Sequence, residues 1–213
     1  MAAGESATAL RADAARNRER IVAAAIEVFA ERGLEASTAE IAARAGVGEA
    51  TLFRRFPTKD DLITAIIGVQ FEESAELAES CLEDDDPWRG VERFLYGMAE
   101  RAAVDHGIAG ATKEKCVASP VLAAERGRIL DLTSQLVRRA QKADALRDDI
   151  AGQDLMFLMS AVVSLAELPF HGLRADLWKR YLGIFLDGLR PEAATKLRPG
   201  APSRKVIENP EIE

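Results

Sequence analysis

Apolar side chains recur at intervals of three and four residues along nearly the whole chain, and no stretch alternates with period two for long enough to build a strand. The expected fold class is therefore all-α. Ile21, Ala25, Val28 and Phe29 fall at i, i+4, i+7 and i+8, on one face of a helix that ends near Gly33. The next segment, "STAEIAARAG", opens with Ser37 and carries Glu40 three residues later, the pattern in which each side chain serves an orphan amide at a helix start. A second helix should begin at Thr38 and stop at Gly46, which can adopt the left-handed conformation that ends a helix, with Val47 plugging the core behind it. A third runs from Glu49 to Phe56, where Pro57 disfavours helical geometry in the residue before it. Two short helices joined by a glycine turn make a helix-turn-helix.

Further along, Thr58 caps a longer helix from Lys59 to about Cys81, and Asp86 with Pro87 opens another that carries Val91, Leu95, Met98 and Ala102 on one face. Ser119 and Pro120 open a helix to about Ala143 whose buried stripe is Ile129, Leu136, Val137 and Ala140. The last two helices, near 153–167 and 174–189, are apolar on more than one face: Leu177, Tyr181 and Ile184 form one stripe of the final helix, and Trp178, Leu182, Phe185 and Leu189 a second. A helix with two apolar faces needs two partners, one in its own domain and one best supplied by a second copy of the chain. Leu158, Val162, Leu165, Trp178, Leu182, Phe185 and Leu189 are expected at that dimer contact. The expected organisation is a flexible arm over 1–12, a helix-turn-helix domain over 13–58, a larger helical ligand-binding and dimerisation domain over 59–190, and a proline-containing disordered tail over 191–213.

Charge then narrows the function. The chain carries a net charge of -7 and a pI near 5.1, which argues against coating nucleic acid or acidic membranes with the whole surface. Between residues 41 and 59, however, Arg44, Arg54, Arg55 and Lys59 face only Glu49. Any anion binding must be local, and it is concentrated on the helix-turn-helix. A helix of about eight residues that presents Thr51, Phe53, Arg54 and Arg55 around a buried Leu52 and Phe56 fits a DNA major groove. Arginine suits that place because its planar fork grips guanine or a phosphate with two hydrogen bonds.

Residues from about Arg18 to Leu62, through "RIVAAAIEVFAERG" and "STAEIAARAGVGEATLFRRFPTKDDL", resemble the DNA-binding domain of the TetR family of bacterial transcriptional regulators, and "LWKRYLGIFLDGLR" is similar to a common last helix of that family. The resemblance implies a homodimer that binds a palindromic double-stranded DNA operator as a repressor and releases it when a small-molecule effector enters the C-terminal domain. It makes Thr38 a phosphate contact, turns Thr51 and Phe53 toward the DNA backbone, brings Glu49, Ala50 and Arg54 to bases, and sets Arg55 and Lys59 on phosphates. Gly48 and Arg44 belong to the same DNA-facing set, although a solvated face suits Arg44 equally well. Two departures stand out. The family often has tyrosine where Phe53 stands, so Arg54 or Arg55 must take the phosphate that a hydroxyl would bond. Glu49 could accept a hydrogen bond from cytosine but would repel a phosphate.

The remaining expectations are plainer. Phe94, Met98, Met156 and Met159 are candidates to line a ligand cavity, with ordinary packing as the alternative. Cys81 and Cys116 lie far apart with no metal spacing, and His106 and His171 have no nucleophile or metal pattern around them. No catalytic residue, metal or cofactor is expected. The N-terminus lacks the continuous apolar run of a signal peptide, and no stretch is apolar for the roughly 20 residues that cross a bilayer. The expected location is the cytoplasm, with no membrane partner. The rival functional reading is an all-helical adaptor that binds a protein through its C-terminal helices.

Overall fold

The structure is a computed structural model that describes residues 2–104, 119–164, 176–192 and 194–205, with side chains from Asp13 onward except at Val104 and Val163. Among these residues there are eight α-helices, a short 3-10 turn at Pro120–Leu122 and no strand. The helices are α1 (Ala2–Arg32), α2 (Thr38–Ala45), α3 (Glu49–Arg55), α4 (Lys59–Leu82), α5 (Pro87–Val104), α6 (Ala123–Lys142), α7 (Gly152–Ser164) and α8 (Leu177–Leu189). The all-α expectation and the helix-turn-helix hold. The chain divides into two compact units, Met1–Ile67 and Gly68–Glu213, so the division falls inside α4, later than the boundary expected at 58. Helical backbone begins at Ala2, within the segment expected as an arm.

The first unit is punctuated as its sequence dictates. Ser37 Oγ accepts from the Glu40 amide at 3.3 Å, and the Glu40 carboxylate accepts from the Ser37 amide at 2.9 Å, which starts α2. That amide also holds the Glu40 carboxyl below its ordinary range. Gly46 sits at φ 64°, and the amides of Gly46 and Val47 turn back to Ala43 O at 3.1 Å and Ala42 O at 3.0 Å. This closure needs a left-handed residue, for which glycine carries no Cβ penalty. Thr58 and Asp61 repeat the reciprocal cap at the start of α4, with Thr58 Oγ1 accepting from the Asp61 amide at 3.1 Å. Ile21, Phe29, Ile41, Leu52, Leu62 and Ile66 are fully buried, while Val47 is only half-buried. Trimming a core leucine such as Leu52 to alanine costs about 2–5 kcal/mol.

The second unit packs the latter part of α4, with α5, α6, α7 and α8, around one core that includes Leu95, Leu136, Leu155, Trp178 and Leu182. Asp86 caps α5, accepting from the Trp88 amide at 2.9 Å. A Cβ on Gly90 would lie 2.5 Å from the carbonyl oxygen of Cys81, so only glycine lets α5 approach the end of α4 this closely. Cys81 is buried, and burial pushes its thiol pKa up.

Two expectations need correction in this unit. Trp178, Leu182, Leu189 and Val162, expected at a dimer contact, are buried in the unit's own core, and Leu158 and Phe185 pack partly against it. That stripe of α8 packs against the other helices of the core, where the Tyr96 ring on α5 lies 6.1 Å from that of Trp178, tilted by 60°. The stripe left exposed is the other one, Tyr181 and Ile184, together with Phe157 on α7. Leu165, Cys116, His106 and His171 lie outside the described residues. Part of the stretch expected as a disordered tail is held in place. Arg147 donates to the carbonyls of Thr195 and, at 3.1 Å, Gly188. The Leu197 amide donates to Asp149 at 2.9 Å, and Arg204 pairs with Asp131 at 2.5 Å.

Candidate nucleic-acid interface and cavity

In the first unit α3 buries Leu52 at 1% exposure, with Phe56 closing its C-terminal end. That anchoring fixes the outward set. Glu49, Ala50, Phe53, Arg54 and Arg55 are exposed, with Gly48 before them, and Thr51 is half-buried. Neither Arg54 nor Arg55 has an ion pair or hydrogen bond among the described residues, so both guanidinium groups keep all their donors for an external acceptor. Glu49 shares that face. Thr38 is half-buried at the start of α2, next to the carboxylate that completes its cap.

The other two candidate cations are placed differently. Arg44 donates to Glu31 at 2.9 and 3.0 Å and to Glu27 at 3.1 Å, which holds the Glu31 carboxyl below its ordinary range and raises the guanidinium's own pKa. Lys59 turns its ammonium onto the loop between α1 and α2, donating to the carbonyls of Leu34 and, at 2.9 Å, Ala36, with the Phe29 ring 5.6 Å away. Both cations join elements within the unit. Sequence reasoning also passed over Arg20, which donates to Ala45 O at 2.6 Å and so serves an orphan carbonyl at the end of α2. No sequence pattern announces such a contact, because the acceptor is backbone.

The second unit contains a cavity of about 440 Å³, within the size range that holds a small organic molecule. Its apolar wall is Phe71, Phe94, Met98, Ala102, Ile129 and Met156; its polar groups are Gln70, Glu73, Ser74, Glu100, Arg101 and Thr133. Three of the four expected residues, Phe94, Met98 and Met156, are thus brought together, whereas Met159 is buried in the core and is absent from the lining. Arg101 was missed, although it stands at i+3 from Met98 and i+7 from Phe94 and helical spacing alone puts it on their side of α5. Among the described residues no group of three or more metal-ligating side chains is found, and no helix is long and apolar enough to cross a membrane.

Comparison with known proteins matches both units. Residues 21–66 fit the model of "Bacterial regulatory proteins, tetR family", and residues 86–191 that of "Transcriptional regulator SbtR-like, C-terminal domain". The chain is 37% identical over 91 residues to the HTH-type transcriptional dual regulator CecR of Shigella flexneri, a match covering 39% of this chain and 41% of the relative. It is 36% identical over 98 residues to the HTH-type transcriptional repressor BepR of Brucella suis, covering 45% and 47%. The chain therefore spans less than half the length of these two curated relatives. The similarity extends further in the crystal structure of a TetR transcription regulatory protein from Mycobacterium vanbaalenii, with 31% identity, a TM-score of 0.63, and coverage of 85% of this chain and 99% of that one. With a matching head, a matching C-terminal unit and a full-length structural relative, the chain belongs to the TetR family of bacterial transcriptional regulators, DNA-binding proteins rather than enzymes.

Proposed function

We propose that the protein is a repressor that binds a palindromic operator as a homodimer and leaves it when a small molecule occupies the cavity of the second unit. The observation that carries the DNA-binding part is the exposed, unpaired Arg54 and Arg55 on a short helix held from behind by Leu52. In this reading Arg54, with Ala50 and Glu49, meets base edges, while Arg55, Thr51 and Thr38 meet phosphates. Repression is supported by the name of the Brucella relative and left open by that of the Shigella one. The release step rests on the cavity. A ligand there shifts DNA affinity only to the extent that it binds the DNA-bound and released forms unequally.

Selection of bound sequences from random DNA tests the reading. A two-fold symmetric sequence with a fixed half-site spacing is the expected result; enrichment of single half-sites, or of nothing, would sink it. The dimer has its own check. The outward stripe of α8 supplies the contact, so Ile184→Glu should yield monomers that remain folded, since Ile184 is 53% exposed in the protomer. Light scattering that still reports a dimer for this variant would move the interface elsewhere.

A further inference from the structure

The cavity has one charged group left incompletely satisfied among the described residues. Arg101 lines it, and its Nη1 is buried without a hydrogen-bond acceptor. A buried donor left unmade is costly, and a native structure that keeps one calls for an explanation. The neighbouring polar groups do not supply it. Ser74 Oγ donates to Gln70 O at 2.6 Å, and Thr133 Oγ1 to Ile129 O at 2.9 Å, so both hydroxyls serve their own helices. Glu73 and Glu100 are exposed, and neither pairs with Arg101. Gln70 is the one other polar residue, and it has an interaction of its own; the rest of the wall is aromatic, aliphatic or thioether.

We infer that the cavity takes an apolar molecule ending in a single carboxylate, with Arg101 as the group that recognises the head. A guanidinium binds a carboxylate through two parallel charge-assisted hydrogen bonds, and the low dielectric of an apolar hollow strengthens them. The apolar body has Phe71, Phe94, Met98 and Met156 to pack against, and methionine adapts to irregular shapes. A phosphate dianion fits less well. It needs more donors than one guanidinium offers, and Glu73 and Glu100 would repel its second charge. An amine would meet the cation directly.

This inference rests on the cavity being the effector site, and the test separates the two. In the full-length protein, decanoate, decanol and decylamine compete for the cavity against N-phenyl-1-naphthylamine, a neutral apolar fluorophore. Decanoate should displace the fluorophore at least tenfold more tightly than either other compound, and in Arg101→Met its advantage over decanol should vanish. Equal displacement by all three, or the tightest displacement by decylamine, would overturn the head-group assignment. So would an Arg101→Met protein that still prefers decanoate. Should that variant fail to fold, the wild-type series decides alone. If the fluorophore does not bind and no compound protects the protein from melting, the cavity takes no such molecule and the inference falls. Decanoate that occupies the cavity but never releases DNA would refute the effector reading and leave the carboxylate specificity standing.

Discussion

The outer face of α3 and the seam between α1 and α2 are equally basic on paper, yet their cations do different things. On α3, Arg54 and Arg55 are exposed and unpaired. Along the seam, Arg44 is clasped by Glu27 and Glu31, Arg32 by Glu40 at 2.6 Å, and Arg20 and Lys59 are spread over backbone carbonyls. The difference teaches that formal charge and available charge are separate quantities. Other cations, such as Lys142 and Arg180, also lack a partner among the described residues, but Arg54 and Arg55 stand side by side on the outward face of the helix-turn-helix.

Four tests can break or sharpen this contrast. The largest effect should come from Arg54→Ala combined with Arg55→Ala. Arg54→Ala alone should cost about 1–3 kcal/mol per half-site on the preferred operator and relax one base pair in each half. Adding Arg55→Ala should lower the salt slope further by about one ion per subunit, with the melting temperature unmoved. A double variant that binds DNA as before would end the distinction. Next, Lys59→Met should destabilise the first unit by about 1–3 kcal/mol, because the Leu34 and Ala36 carbonyls lose a charged donor. Its salt slope on DNA should hold; a fall of one ion per subunit would return Lys59 to the phosphate contacts.

Third comes a pH effect in the second unit, where an engaged cation can be compared with those of the seam. Hydrogen bonds from Arg147, followed by the Leu197 amide, depress the Asp149 carboxyl from 3.8 to about 2. A depressed carboxyl stabilises the fold above its unfolded value and loses that contribution as pH falls through the folded one. The wild-type melting advantage over Asp149→Asn should thus be full at pH 5 and shrink between about pH 4 and 2. A gap that is constant with pH would mean the charge is irrelevant there. Smallest of all, Arg44→Ala should shift melting near the limit of detection, since its ion pairs are solvent-exposed, and should leave operator affinity intact. A marked loss of DNA binding would show that the glutamates release Arg44 when DNA arrives.

How much of this could be read from sequence depends on the range of the forces involved. Helix starts at Ser37, Thr58 and Asp86 and the stop at Gly46 were legible because each is settled within four residues. The expected ends of α2 and α4 are met to within a residue for the same reason. The burial of Leu52 and Phe56 was legible too, since their four-residue spacing puts both on one side of a helical turn. The two stripes of α8 were not. Both are apolar at helical spacing, and packing against residues far away in the chain, Tyr96 on α5 among them, decides which turns inward. Lys59 and Arg20 were opaque for a related reason, their acceptors being carbonyls about 25 positions away. Pattern reveals what a residue could bury or bind, and long-range packing decides which option is taken.

Arg147 has a consequence for how such a chain can change over generations. Its one guanidinium joins the Asp149 loop, the end of α8 at Gly188 and the tail at Thr195. Lysine, a point charge without the planar fork, could not hold the three at once. Shortening the tail would strand a residue that is only 8% exposed, so the deletion would be felt beyond the terminus itself. Loss of the tail, of Arg147 or of Asp149 would in each case leave the other two short of a partner, which makes a stretch of low apolar content costlier to discard than its composition suggests.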